Sequence, residues 1–201
     1  MILDGRMLFQ DDDDEKGKKS SEALMERMLG TRSILLTGQV NKEMAERVAR
    51  QLLILEASSD DPIKVFIDSQ GGDADSGFAI LDMLRFVKPE VQTIGMGLVA
   101  SAGAIILLGA DKKHRFGLPN SHYLIHQPLS GVQGVATEIE IFAQEIDKMR
   151  KKINKLISEE TGQPVDKVEK DTDRDYWMTS EEAVNYGLLT KVIKNRKELK
   201  K

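Results

Sequence analysis

The sequence predicts an α/β layer protein built on a largely parallel sheet. Three observations carry this prediction. Short apolar runs alternate with longer segments whose apolar residues recur every three or four positions, the pattern of strands joined by crossover helices. The 201 residues suffice for one substantial hydrophobic core and fall short of two. No second series of strands and helices and no internal repeat breaks the alternation, so one domain is expected.

Each element follows from its local residues. The core begins near Arg32, where residues 33–36 read as a buried strand ended by Thr37-Gly38. Asn41 suits the N-cap of a helix whose apolar face is Met44, Val48, Leu52 and Leu55. A strand over 63–67 breaks at Ser69-Gln70-Gly71-Gly72, and Phe78, Leu81 and Leu84 mark a helix that stops before Pro89. Residues 91–96 form the next strand; Gly97 and small residues then lead through Ser101 into another helix. A strand over 123–125 closes at His126-Gln127-Pro128, and 129–134, with two glycines, reads as an extended or loop segment. A long amphipathic helix is expected over about 135–160, because Ile139, Phe142, Ile146, Met149, Ile153 and Leu156 keep helical spacing. Gly162 and Pro164 end it. A short helix to about Lys170, another over 179–186 and a last strand over 188–193 follow, and the lysine-rich end is expected to fray.

Composition narrows the function. Lys and Arg total 29 against 33 Asp and Glu, a net charge of −4, and no basic tract is interleaved with aromatics, so a nucleic-acid partner is not expected. The cluster Lys148, Arg150, Lys151 and Lys152 has acids nearby and reads as a solvated helix face. There is no cysteine, which excludes a disulfide framework, a thiol nucleophile and a thiolate metal site. Acids interrupt the start before any long apolar stretch, and no apolar run reaches the roughly 18 residues of a membrane span. A cytoplasmic protein without membrane association is expected. Asp11 to Glu15 is an acid block that composition favours as a solubilising tail over a mobile gate, and residues 20–29 form a short helix. No P-loop, G-x-G-x-x-G or H-E-x-x-H pattern occurs, so no cofactor or metal is expected.

The chemistry points to Ser101. It stands in Gly95-Met96-Gly97-Leu98-Val99-Ala100-Ser101-Ala102-Gly103, where a strand runs through small residues into a helix. Such a turn can expose a hydroxyl and bring first-turn N–H groups to a developing oxyanion. A helix cap in a close-packed region is the plainer alternative. The stretch is not G-x-S-x-G, so no α/β-hydrolase fold is inferred. A serine nucleophile needs a base. His126 ends an apolar strand and can project into a cleft; His122 shares its face by the two-residue period; His114 lies in the charged turn 111–115 and reads as solvent-facing. Asp171, Asp173 and Asp175 all lie in one acidic run, and sequence chemistry leaves the choice of orienting acid open. Gly71-Gly72 permits close backbone approach and offers further oxyanion donors, or simply a tight turn.

Together these residues resemble the ClpP family, the proteolytic subunit of ATP-dependent Clp peptidases. The resemblance runs from about Ser33 to Ile193 and rests on ordered landmarks: Ser69-Gln70-Gly71-Gly72, Ala100-Ser101-Ala102-Gly103, Leu118-Pro119-Asn120-Ser121, Ile125-His126-Gln127-Pro128-Leu129, Thr161-Gly162-Gln163, and the run ending Asp173-Arg174-Asp175. It implies Ser101 as nucleophile, His126 as general base and acid, and Asp175 as orienting acid. It further implies an oxyanion hole at Gly71, Gly72 and Ala102, and ring-to-ring contact and alignment through Gln133, Asp173 and Arg174. The implied fold is a crotonase-like spiral of βαβ units with a projecting helical handle over about 129–160. Residues 32–195 would form the peptidase domain, 1–31 a variable N-terminal segment with an axial-pore loop and short helix, and 196–201 a flexible tail. Heptameric rings stacked as a tetradecamer would enclose a chamber. An AAA+ Clp unfoldase would feed it unfolded polypeptides, spending the ATP that this subunit does not bind.

Four departures from the family pattern stand out, the largest being the start, Met1 to about Arg32, which does not match the usual pore segment. Gln70 replaces a proline, Ala102 replaces a methionine, and Asp73 and Asp75 add charge beyond the paired glycines. They raise the expectation of a weakly active or regulatory subunit of a mixed ring with a second ClpP-type chain; the related spiral architecture keeps, more remotely, an enoyl-CoA hydratase or isomerase-like enzyme.

Overall fold

A computed structural model describes residues 24–199. Residues 24–30 are helical, in line with the helix expected there; the acid block lies outside the described residues. The strands are β1 (Ser33–Val40), β2 (Ile63–Gly72), β3 (Val91–Ala100), β4 (Arg115–Gly117), β5 (His122–Ile125), β6 (Tyr176–Thr179) and β7 (Lys191–Val192). The helices are α1 (Lys42–Ser58), α2 (Ala74–Phe86), α3 (Ala102–Leu107), α4 (Ala136–Thr161), α5 (Val165–Asp171) and α6 (Ser180–Tyr186). The sheet runs β1-β2-β3-β4-β7, with β5 also on β3 and β6 on β5. All pairs are parallel except β5 with β6. This is the expected spiral of βαβ units.

Helix faces follow the periodicity. Met44, Val48, Leu52 and Leu55 of α1 are all buried, and the Asn41 side chain caps the helix by accepting from the Met44 N–H at 2.9 Å. On α2, Phe78, Leu81 and Leu84 face the core. The first three strands run further than expected, whereas the last, expected over 188–193, is confined to Lys191–Val192. β1 does not end at Gly38 but bulges between Thr37 and Gln39 and continues. β2 absorbs its Ser-Gln-Gly-Gly break as a register shift against both neighbours and still reaches Gly72. β3 forks its partners: Thr93–Gly95 pair with β4, Leu98–Ala100 with β5.

The charged turn is a correction. His114 is buried rather than solvent-facing, and the neighbouring Arg115 is buried with it. The Arg115 guanidinium, 1% exposed, donates to the carbonyls of Ala110 (2.8 Å) and Leu108 (3.3 Å) and pairs with the Glu160 carboxylate. Burial pulls the Arg115 pKa below its usual value, and Glu160 opposes that shift. Arg85 shares Glu160 at 2.6 Å, and His114 Nε2 lies 3.2 Å from Glu90. The end of α4 is thereby anchored to the core. Its buried residues begin at Ile153, and the earlier turns project as the handle. Asn195 caps a helical turn at Arg196–Glu198, and Leu199 packs with Ile94, Phe116 and Ile193.

Candidate active site

Three strand ends converge on one point. β3 stops at Ala100 and α3 begins at Ala102, so Ser101 occupies the turn with φ 56 and ψ −120, a strained setting for a residue with a side chain. The surroundings over-determine it: the Ser101 N–H donates to the Leu124 carbonyl of β5 at 2.9 Å, while its own carbonyl accepts from Ala104 (2.9 Å) and Ile105 (3.2 Å). β5 ends one residue before His126. Because β5 and β6 run antiparallel with Ile125 opposite Tyr176, the next residues outward, His126 and Asp175, meet. His126 Nδ1 lies 3.0 Å from Asp175 Oδ1, and His126 Nε2 lies 2.9 Å from Ser101 Oγ. The imidazole is 15% exposed and the carboxylate 60%.

The open choices close geometrically. Of the three histidines, His126 alone has a hydrogen bond to Ser101; His122 is exposed at the start of β5 and His114 is committed to Glu90. Asp171 is held by Lys167 and by the Tyr186 hydroxyl, which donates to it at 2.9 Å. Burial, reinforced by that contact, pushes the Tyr186 pKa well up. Asp173 sits beside Gln127, leaving Asp175 at the ring.

Gly71 and Gly72 are both required as glycine. Gly71 has φ +90, and a Cβ there would stand 2.6 Å from that of Ser101. Gly72 has φ +149 and would drive a Cβ into the Val40 carbonyl. The Gly71 N–H is already spoken for: it donates to Ser69 Oγ at 3.1 Å, and that hydroxyl donates to the Gly38 carbonyl. Gly72 and Ala102 border the cleft beside Ser101 and His126. The cleft measures about 570 Å3 and is walled on one side by the handle. Gln133, Asp173 and Arg174 are exposed.

Sequence reasoning missed two supports. The Gln127 N–H donates to the Thr172 carbonyl and its Nε2 to the Asp173 carbonyl, both at 2.7 Å. Asn154, 2% exposed within the apolar face of α4, accepts from the Thr172 hydroxyl at 2.8 Å. The loop carrying Asp175 is thus clamped from both sides. Position next to His126 was the available signal for Gln127, and a lone amide between Ile153 and Leu156 was that for Asn154.

Among the described residues no group of three or more His, Cys, Asp or Glu could hold a metal, and no helix is long and apolar enough to cross a membrane. Fold and site together define a βαβ-wound α/β protein with a hydroxyl, an imidazole and a carboxylate in hydrogen-bonded series. Comparison with known proteins narrows this class. The sequence profile of the Clp protease family matches residues 15–196. The ATP-dependent Clp protease proteolytic subunit 2 of Treponema denticola is 61% identical, over 92% of this chain and 94% of its own. The proteolytic subunit 3 of Rhizobium meliloti is 47% identical, over 95% of this chain and 100% of its own. A solved ClpP1 variant from Listeria monocytogenes superposes with a TM-score of 0.83 at 49% identity, covering 88% of this chain and 99% of that one. The chain belongs to the Clp protease family.

Proposed function

We propose that this chain is a serine endopeptidase subunit that hydrolyses unfolded polypeptides. The observation that carries the reading is the unbroken series Ser101 Oγ, His126 Nε2, His126 Nδ1, Asp175 Oδ1 at 2.9 and 3.0 Å, opening on a cleft. Asp175 accepts from Nδ1–H and selects the tautomer whose Nε2 can take the Ser101 proton. Ser101 Oγ attacks the peptide carbonyl, and the N–H groups of Gly72 and Ala102 stabilise the oxyanion; the engagement of Gly71 with Ser69 leaves it the lesser donor. His126 then protonates the departing amine. A water, deprotonated by the same imidazole, cleaves the acyl-enzyme. The residues need no cofactor for these steps.

The assembly belongs to the same proposal. Exposed Gln133, Asp173 and Arg174 and the projecting handle suit contact between stacked heptameric rings. A Clp ATPase would supply unfolded chain to the chamber in the cytoplasm. Treating the purified assembly with a fluorophosphonate and mapping the adduct tests the central claim. Modification confined to Ser101 and lost in Ser101→Ala is expected. An intact oligomer that resists the probe would overturn the reading.

A further inference from the structure

The charges around the cleft are one-sided. Asp73, Asp75 and Glu145 border it, and among its described lining residues there is no lysine or arginine. The rest of the wall is largely apolar, including Ile105, Phe142, Ile146 and Met149. The three acids are not equivalent. Glu145 is balanced by Lys148 at 2.7 Å. Asp73 caps α2 with one oxygen, accepting from the Ser76 N–H at 2.8 Å, which leaves its charge in place. Asp75 is exposed in the first turn of α2 and takes part in no ion pair among the described residues.

We infer that this cleft takes a lysine or arginine side chain from the residue whose carbonyl Ser101 attacks, with Asp75 and Asp73 as the specificity-determining groups. The inference rests on the peptidase reading of the same site and adds its substrate class. Gly72 and Ala102, the proposed oxyanion donors, border the same cleft, so the attacked carbonyl sits at its mouth and the adjoining side chain enters it. A neutral aliphatic side chain would use the apolar wall and leave the two carboxylates unanswered. A long aliphatic stem with a cationic head uses both: the methylenes lie on Ile105, Ile146 and Met149, and the head turns to the aspartates. The acids also repel glutamate and aspartate, a second source of discrimination.

The test uses quenched fluorogenic peptides that differ at one position, carrying Lys, Arg, norleucine or Glu, with the cut mapped by mass spectrometry. Norleucine keeps the stem and removes the charge. At low ionic strength the wild-type assembly should prefer Lys to norleucine by about tenfold in kcat/KM, the scale of two partly exposed charge pairs, and the preference should shrink as salt is added. Asp75→Asn should lower the Lys-to-norleucine ratio severalfold, and Asp75→Glu should retain it. Asp73→Asn, which keeps a capping oxygen, should lower the ratio as well. Fluorophosphonate labelling of Ser101 is run on the same preparation. Labelled enzyme that cleaves after norleucine as readily as after Lys overturns the inference and leaves the peptidase reading standing, and so does cleavage on the amino side of Lys. Unlabelled enzyme that cuts no peptide overturns both.

Discussion

Asp175→Asn should slow peptide turnover by about a hundredfold, and the size of that loss follows from where the carboxylate sits. In a buried triad the same change costs about ten-thousandfold, because the amide imposes the wrong tautomer on the imidazole and nothing can replace it. Here the Asp175 side chain is 60% exposed while His126 is 15% exposed. Water can reach the outer face of the amide, let it turn its oxygen toward Nδ1, and stand in for part of the lost charge. A hundredfold loss corresponds to about 2.7 kcal/mol of transition-state stabilisation. The assay is kcat/KM on a fluorogenic peptide together with the rate of Ser101 labelling, which isolates the nucleophile from product release. Both rates should fall together, with thermal stability nearly unchanged because the residue is exposed. A loss under threefold would refute an orienting role for Asp175. A loss near ten-thousandfold would refute the argument from exposure, and would mean that the assembly dries this carboxylate.

Two further outcomes concern the scaffold. Glu160→Ala leaves Arg115 buried without its carboxylate and should destabilise the fold by about 3 kcal/mol in urea unfolding, as for a broken buried pair; a change under 1 kcal/mol would show that the backbone carbonyls of Leu108 and Ala110 suffice. Glu198, bound by Lys191 and by the N–H groups of Lys194 and Asn195, has its pKa lowered from 4.5 to about 2. A depressed carboxylate contributes stability above its ordinary pKa and loses it as pH falls, so the turn at 196–198 should hold to pH 4.5 and loosen between there and about pH 2. A carboxyl-13C titration midpoint near 4.5 would refute that.

Much of the scaffold was legible because periodicity is a local property. The faces of α1, α2 and α4 needed only residues three and four apart. What failed was long-range. Gly38 read as a strand stop because a bulge and a termination have the same local signature; only pairing with β2 tells them apart. β4 and β6, three and four residues long, leave too little pattern to detect. His114 read as exposed because its charged neighbours dominate the local pattern, while the carboxylate it meets, Glu90, lies twenty-four residues away. The site divided the same way. Ser101 and His126 were visible as a small-residue turn and a strand end. Choosing Asp175 over Asp171 and Asp173 required either family resemblance or the register of β5 on β6, and only the second is a physical reason.

The forked edge of β3 gives the sheet two leaves with different tenancy. One leaf, β4 and β7, joins β3 at Thr93–Gly95 and carries none of the three proposed catalytic side chains. The other, β5 and β6, joins it at only Leu98–Ala100 and carries two of them at its tip. The second leaf is not independent of the first: fully buried Tyr123 of β5 sets its ring against Gly95 of β3 and Gly117 of β4, where any Cβ would strike its hydroxyl. Drawing His126 away from Ser101 would mean lifting Tyr123, Ile125 and Met178 out of the main core. The seat of the imidazole and the floor of the sheet are thus one packed unit, and the ring that spaces the two leaves also keeps His126 in line.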